Sequence, residues 1–93
     1  MNSEPTLWEV RIKKPARKSL KRVPRHERDG LIRVLEEMTR DPFMSDVIPL
    51  TNERAAYRRR YGDFRIFFDV YRDRNLVEVT DISRRTTTTY RKR

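Results

Sequence analysis

The sequence predicts an α+β domain: an N-terminal strand, a helical hairpin, then an antiparallel three-strand meander, in the order β-α-α-β-β-β. Three observations predict it. Residues 7–12 alternate apolar and polar. Two apolar stripes at helical spacing follow, divided by Pro24. Three β-rich runs separated by turn residues then fill the C-terminal half. With 93 residues, the chain is read as one domain spanning 1–93. Residues 1–6 and 91–93 are expected to be frayed.

Each element has a local cause. In the first strand Trp8, Val10 and Ile12 share one face, and Leu7, Glu9 and Arg11 the other. Pro15 suits a helix first turn, and Ala16, Leu20 and Val23 follow at i, i+4 and i+7. Arg17, Lys18, Lys21 and Arg22 take the outer positions. Pro24 ends that helix and opens the next, where Glu27 and Asp29 suit the positive end of the macrodipole. Leu31, Val34, Leu35 and Met38 form the second stripe. Gly30 costs about 1 kcal/mol there relative to Ala, which suggests a close packing contact. Asp41-Pro42 closes the helix.

Residues 42–53 read as a connecting loop anchored by Val47, Ile48 and Leu50. The meander is expected as residues 56–61, 64–71 and 76–82, with Gly62-Asp63 as a tight turn and residues 72–75 as a polar one. Phe64, Ile66, Phe68 and Val70 share one face of its middle strand. Residues 83–93, with Thr86, Thr87, Thr88 and Thr89 in a row, read as a frayed helix or extended arm.

Charge narrows the function. The chain holds 23 Lys+Arg against 14 Asp+Glu, a net charge of +9. Residues 54–93 carry 12 basic and 5 acidic side chains, so most of the excess lies there. Arg outnumbers Lys 18 to 5, and guanidinium forks onto phosphate or stacks on a base. A nucleic-acid partner is therefore expected. No Cys is present, which fits a reducing, cytoplasmic setting and excludes thiol chemistry and zinc clusters. No apolar run is long enough to span a membrane, and no secretory signal is visible, so no membrane partner is expected. No metal or cofactor is expected either. Asp63, Asp69, Glu78 and Asp81 read as ion-pair partners, and the single His26 as a surface or capping residue.

Arg and Tyr remain. Strand alternation puts Arg58 and Arg60 on one face, and Tyr57, Arg59 and Tyr61 on the other. Antiparallel pairing across Gly62-Asp63 brings Arg65 near Arg60, on a face the sequence leaves open. Arg84, Arg85 and Tyr90 follow the last strand. Clustered guanidiniums grip phosphate and stabilise the added charge of an in-line transition state. On composition alone, RNA or DNA binding is supported and catalysis is permitted.

Residues 57–70, Tyr-Arg-Arg-Arg-Tyr-Gly-Asp-Phe-Arg-Ile-Phe-Phe-Asp-Val, resemble the central hairpin of the RelE/ParE toxin superfamily. The run Val47-Ile-Pro-Leu50 is similar to the family's Val-x-x-Leu approach, and Asp81-Ile-Ser-Arg-Arg85 with Tyr90 to its basic, Tyr-closed end. The resemblance runs from Trp8 to Tyr90 and is most specific at Gly62-Asp63-Phe64-Arg65. It implies the compact RelE-like fold and a type II toxin. A toxin of the family's RelE branch is a metal-independent endoribonuclease that cuts mRNA in the ribosomal A site, beside small-subunit ribosomal RNA, and so inhibits translation. It is silenced by an acidic cognate antitoxin.

The resemblance also implies roles. Attack by the 2′-OH would leave a 2′,3′-cyclic phosphate. Arg65 would stabilise the transition state, Arg84 would help the leaving group, and Tyr90 would stack on or orient a base. Arg58 and Arg60 stand where RelE carries two Lys, one a proposed proton acceptor; Arg keeps the charge but is the weaker acceptor. The catalytic set is thus Arg65, Arg84, Arg60, Arg58 and Tyr90, with Arg59, Arg85, Lys13 and Lys14 as further RNA-binding residues. Asn52 stands where many members have a turn Gly, a conformation Asn tolerates. A ParE-like DNA gyrase inhibitor and a non-catalytic RNA-binding module are the alternatives.

Overall fold

The computed structural model describes residues 7–51 and 55–85. Residues 1–6, Asn52, the threonine run at 86–89, Tyr90 and residues 91–93 lie outside the described residues.

The elements are β1 (Glu9–Ile12), α1 (Lys14–Arg22), α2 (Arg25–Met38), β2 (Val47–Pro49), β3 (Tyr57–Tyr61), β4 (Phe64–Tyr71) and β5 (Leu76–Arg84). The five strands form one sheet in the order β1-β5-β4-β3-β2. β1 runs parallel to β5, and the other neighbours are antiparallel. The α+β expectation holds, with one addition. Part of the expected 42–53 loop is a strand: Val47, Ile48 and Pro49 pair with Arg59, Arg58 and Tyr57. Three residues containing a proline give too weak a pattern to read as a strand, and backbone pairing at a sheet edge decides it. Val47 packs against the core, whereas Ile48 is exposed and anchors nothing.

Both helices cover the same face of the sheet. Ala16 of α1 and Leu31, Val34, Leu35 and Met38 of α2 meet Phe64, Ile66, Phe68, Val77, Val79 and Ile82 in one buried cluster. Leu20 and Val23 complete the α1 stripe, half-buried against that cluster. Val23 and Pro24 are both extended, which separates the helices. Glu27 lies in the first turn of α2, where an acid is favoured. At the other end the Thr39 hydroxyl donates to the Glu36 carbonyl at 2.6 Å.

The hairpins follow their turn residues. Tyr61 pairs with Phe64 across a two-residue loop in which Gly62 has φ +57°, a requirement of primed turns. Arg72–Arg74 make a 3₁₀ turn closed by Asn75 in the left-handed region. The β4–β5 ladder is irregular at Phe67/Phe68: Phe68 faces Val79 while Phe67 faces Asp81, so Thr80 is the extra residue of a bulge.

Gly30 makes the close contact its cost suggested. It is buried in α2, and a Cβ there would overlap the Tyr61 hydroxyl. Ala at this position gains helix propensity but forces the Tyr61 ring aside. We expect Gly30→Ala to destabilise the fold by about 1 kcal/mol in urea unfolding. Adding Tyr61→Phe should recover part of that loss.

Candidate functional site

The face of the sheet away from the helices carries the basic cluster. Along β3, Arg58 and Arg60 face away from the core while Tyr57, Arg59 and Tyr61 face the helices. Register then sets the rest. Arg60 pairs directly with Arg65, Arg58 with Phe67, and Arg65 with Ser83. The face left open by the sequence is thereby settled: Arg65 lies on the side of Arg58 and Arg60.

Arg65 is held by its own turn. Its Nη1 donates to the carbonyls of Gly62 at 3.0 Å and Phe64 at 2.9 Å. Partial desolvation, then repulsion from Arg58, Arg85 and Arg60, lowers its pKa from the ordinary guanidinium value, with Asp63 opposing. The same repulsion makes the cluster a strong attractor for an anion. Arg60 also reaches the Asp46 carboxylate at 3.4 Å, an exposed pair, and its backbone N–H donates to the Asp46 carbonyl at 3.0 Å. Arg85 closes the group from the end of β5, where its N–H donates to the Asp63 carbonyl at 2.6 Å.

Two of the expected residues are elsewhere. Arg84 pairs across the ladder with Phe64, which is in the core, so it belongs to the helix side. There it bonds to Glu27 of α2, and its guanidinium sits 4.6 Å from the centre of the Phe64 ring. It ties the end of β5 to the start of α2 and does not join Arg65. Its neighbour Arg85 does. The cause is strand parity: after the bulge, Ile82 points inward, so Arg84 points inward and Ser83 and Arg85 outward. The spacing of Val77, Val79 and Ile82 carries that signal, since two inward residues three apart mark an inserted one.

Arg59 is the second. Only 7% exposed, it lies under the sheet against Glu37 of α2, with Nη2 3.3 Å from the carboxylate. Its Nε and Nη1 have no hydrogen-bond partner. It therefore lies on the helix side of the sheet, away from Arg58, Arg60 and Arg65.

Lys13 and Lys14 are exposed at the start of α1. Lys13 borders a small cavity with Pro15, Phe67, Thr80 and Asp81, next to the cluster's strands. His26 is exposed in a shallow cleft with Glu27 and the Gly62-Asp63 turn. Among the described residues no group of His, Cys, Asp or Glu is arranged to hold a metal ion, and no helix is long and apolar enough to cross a membrane.

The Arg59–Glu37 pair makes a separable prediction. Glu37→Ala strands a buried guanidinium and should cost about 2 kcal/mol, less than the 3–5 of a fully buried pair because Glu37 is half-exposed. Arg59→Met should be near neutral in the same thermal or urea unfolding experiment.

No family model matches the sequence, and no curated protein matches it. Solved structures do match its fold. A chain of the Mycobacterium tuberculosis toxin–antitoxin complex RelBE2 superposes with a TM-score of 0.76 at 20% identity, over 85% of this chain and 99% of that one. A chain of the archaeal RelE–RelB complex from Pyrococcus horikoshii OT3 gives 0.75 at 22%, over 87% and 98%. The isolated E. coli RelE toxin gives 0.72 at 15%, over 88% of each chain. The fold is that of RelE toxins.

Proposed function

We propose that this chain is a type II toxin acting as a metal-independent endoribonuclease on mRNA in the ribosomal A site. The single observation that carries the reading is the open sheet face on which Arg58, Arg60 and Arg85 surround Arg65. Four guanidiniums on one face of the sheet suit a phosphodiester whose charge rises during reaction. The RelE-like fold supports the same reading.

The reaction is attack by a ribose 2′-OH on the adjacent phosphorus. The O2′–P bond forms, the P–O5′ bond breaks, and a 2′,3′-cyclic phosphate and a 5′-hydroxyl result. Arg65, held by two turn carbonyls, needs little reorganisation to neutralise the non-bridging oxygens. Arg85 takes the leaving-group side that the family resemblance assigned to Arg84. Arg58 and Arg60 act by charge: guanidinium does not give up its proton at neutral pH, so the 2′-OH proton leaves to solvent and the departing O5′ takes a proton from solvent.

The partner follows from the same surface. A cationic face of this kind fits an acidic, partly disordered antitoxin that orders on binding and covers Arg65 and Arg85. Complexes of RelE with RelB are among the similar structures.

In a translation extract, wild-type protein is expected to cut a message only while ribosomes translate it. Arg65→Ala should slow cutting by about 10²-fold or more with its thermal transition retained. Arg85→Ala should slow it far more than Arg84→Ala. DNA supercoiling by gyrase should be unaffected. An intact message in the presence of folded wild-type protein and active ribosomes would overturn the reading.

A further inference from the structure

Phe67 is out of place for an apolar side chain. It alternates with Arg65 along β4 and so faces the open side, directly across from Arg58 on β3. It is half-buried, yet it belongs neither to the core cluster nor to the side chains packed against it. Among the described residues its ring makes no aromatic pair, whereas Phe43, Tyr57 and Phe68 contact one another.

Its surroundings are polar and shaped. Phe67 lines a cavity of about 200 Å³ with Lys13, Pro15, Thr80 and Asp81. The bulge builds this cavity, because Thr80 is the inserted residue and Asp81 the one facing Phe67. The Thr80 hydroxyl donates to the Phe67 carbonyl at 3.2 Å, and the Asp81 carboxylate accepts from the Ile82 N–H at 2.9 Å. A bulge beside a functional surface serves to re-aim side chains.

We propose that Phe67 is a stacking platform for an unpaired RNA base, two residue pairs along the sheet from Arg65 and directly across from Arg58. The proposal rests on the reading that this face takes RNA, and it adds where a base next to the gripped phosphate goes. The cationic neighbours attract the backbone, and a half-buried ring that borders a cavity among them offers the π-face that an unstacked base needs. Lys13 on the cavity rim meets the next phosphate along the strand.

The test is equilibrium binding of two uncleavable octamers: 2′-O-methyl octacytidylate, and a 2′-O-methyl octamer of the same backbone without bases. Phe67→Leu is expected to weaken octacytidylate binding about ten-fold, within the range for one lost base stack. It should leave the abasic octamer and the salt dependence unchanged, because no phosphate contact is removed. Phe67→Trp should retain wild-type affinity for octacytidylate. If Phe67→Leu binds octacytidylate as wild type does, the platform is refuted while the RNA reading stands. Equal weakening on both octamers also refutes it, since the change would then be a general disturbance of the face. If wild-type protein binds neither octamer, the RNA reading falls and takes the platform with it.

Discussion

Both helices pack on one side of the sheet, and the chemistry of the molecule depends on that asymmetry. Burying Leu31, Val34, Leu35 and Met38 against Phe64, Ile66 and Phe68 commits one face of every central strand to the core. Among the described residues no helix packs on the opposite face, as antiparallel sheets allow. Because side chains alternate, each strand then sorts its arginines by parity alone. Arg58, Arg60 and Arg65 emerge on the uncovered side; Arg59 goes under the sheet and needs Glu37. A one-residue slip would exchange these roles, so packing and function are specified by the same register.

The bulge at Thr80 is the second point of control. Without the extra residue, β5 would keep the parity of Val77 and Val79 to its end, and Arg85, not Arg84, would face the helices. With it, Ile82 returns to the core and the two arginines trade faces. Arg84 then serves structure, joined to Glu27 and stacked on Phe64. Arg85 stands with Arg65, which feels its charge. Adjacent residues of one type thus do different work because one inserted residue precedes them.

Much of this was legible in the sequence, for identifiable reasons. The stripes of α1 and α2 and the alternation of β4 are strong patterns, since each buries a continuous row. Gly62-Asp63 states its turn, and Gly30 in a helix interior suggests a close contact, whose partner, Tyr61, only the structure supplies. Less legible was β2, whose three residues pair through backbone alone. Position in the resembling motif points to Arg84, whereas the 77, 79, 82 spacing, which reverses parity, puts Arg85 on the face of Arg65. Charge alone groups Arg59 with Arg58 and Arg60, whereas alternation puts it with Tyr57 and Tyr61, the inward side chains. Charge alone does not tell the arginines of the open face from those on the helix side; strand register does.

The central claim is that two faces of one sheet divide the arginines into ligand-contacting and structural sets. The most direct measurement is NMR of the arginine side-chain Nε–Hε groups during titration with an uncleavable oligoribonucleotide. The account predicts shifts at Arg58, Arg60, Arg65 and Arg85, with Arg59 and Arg84 unmoved. Shifts centred on Arg59 and Arg84, with the open face silent, would contradict it.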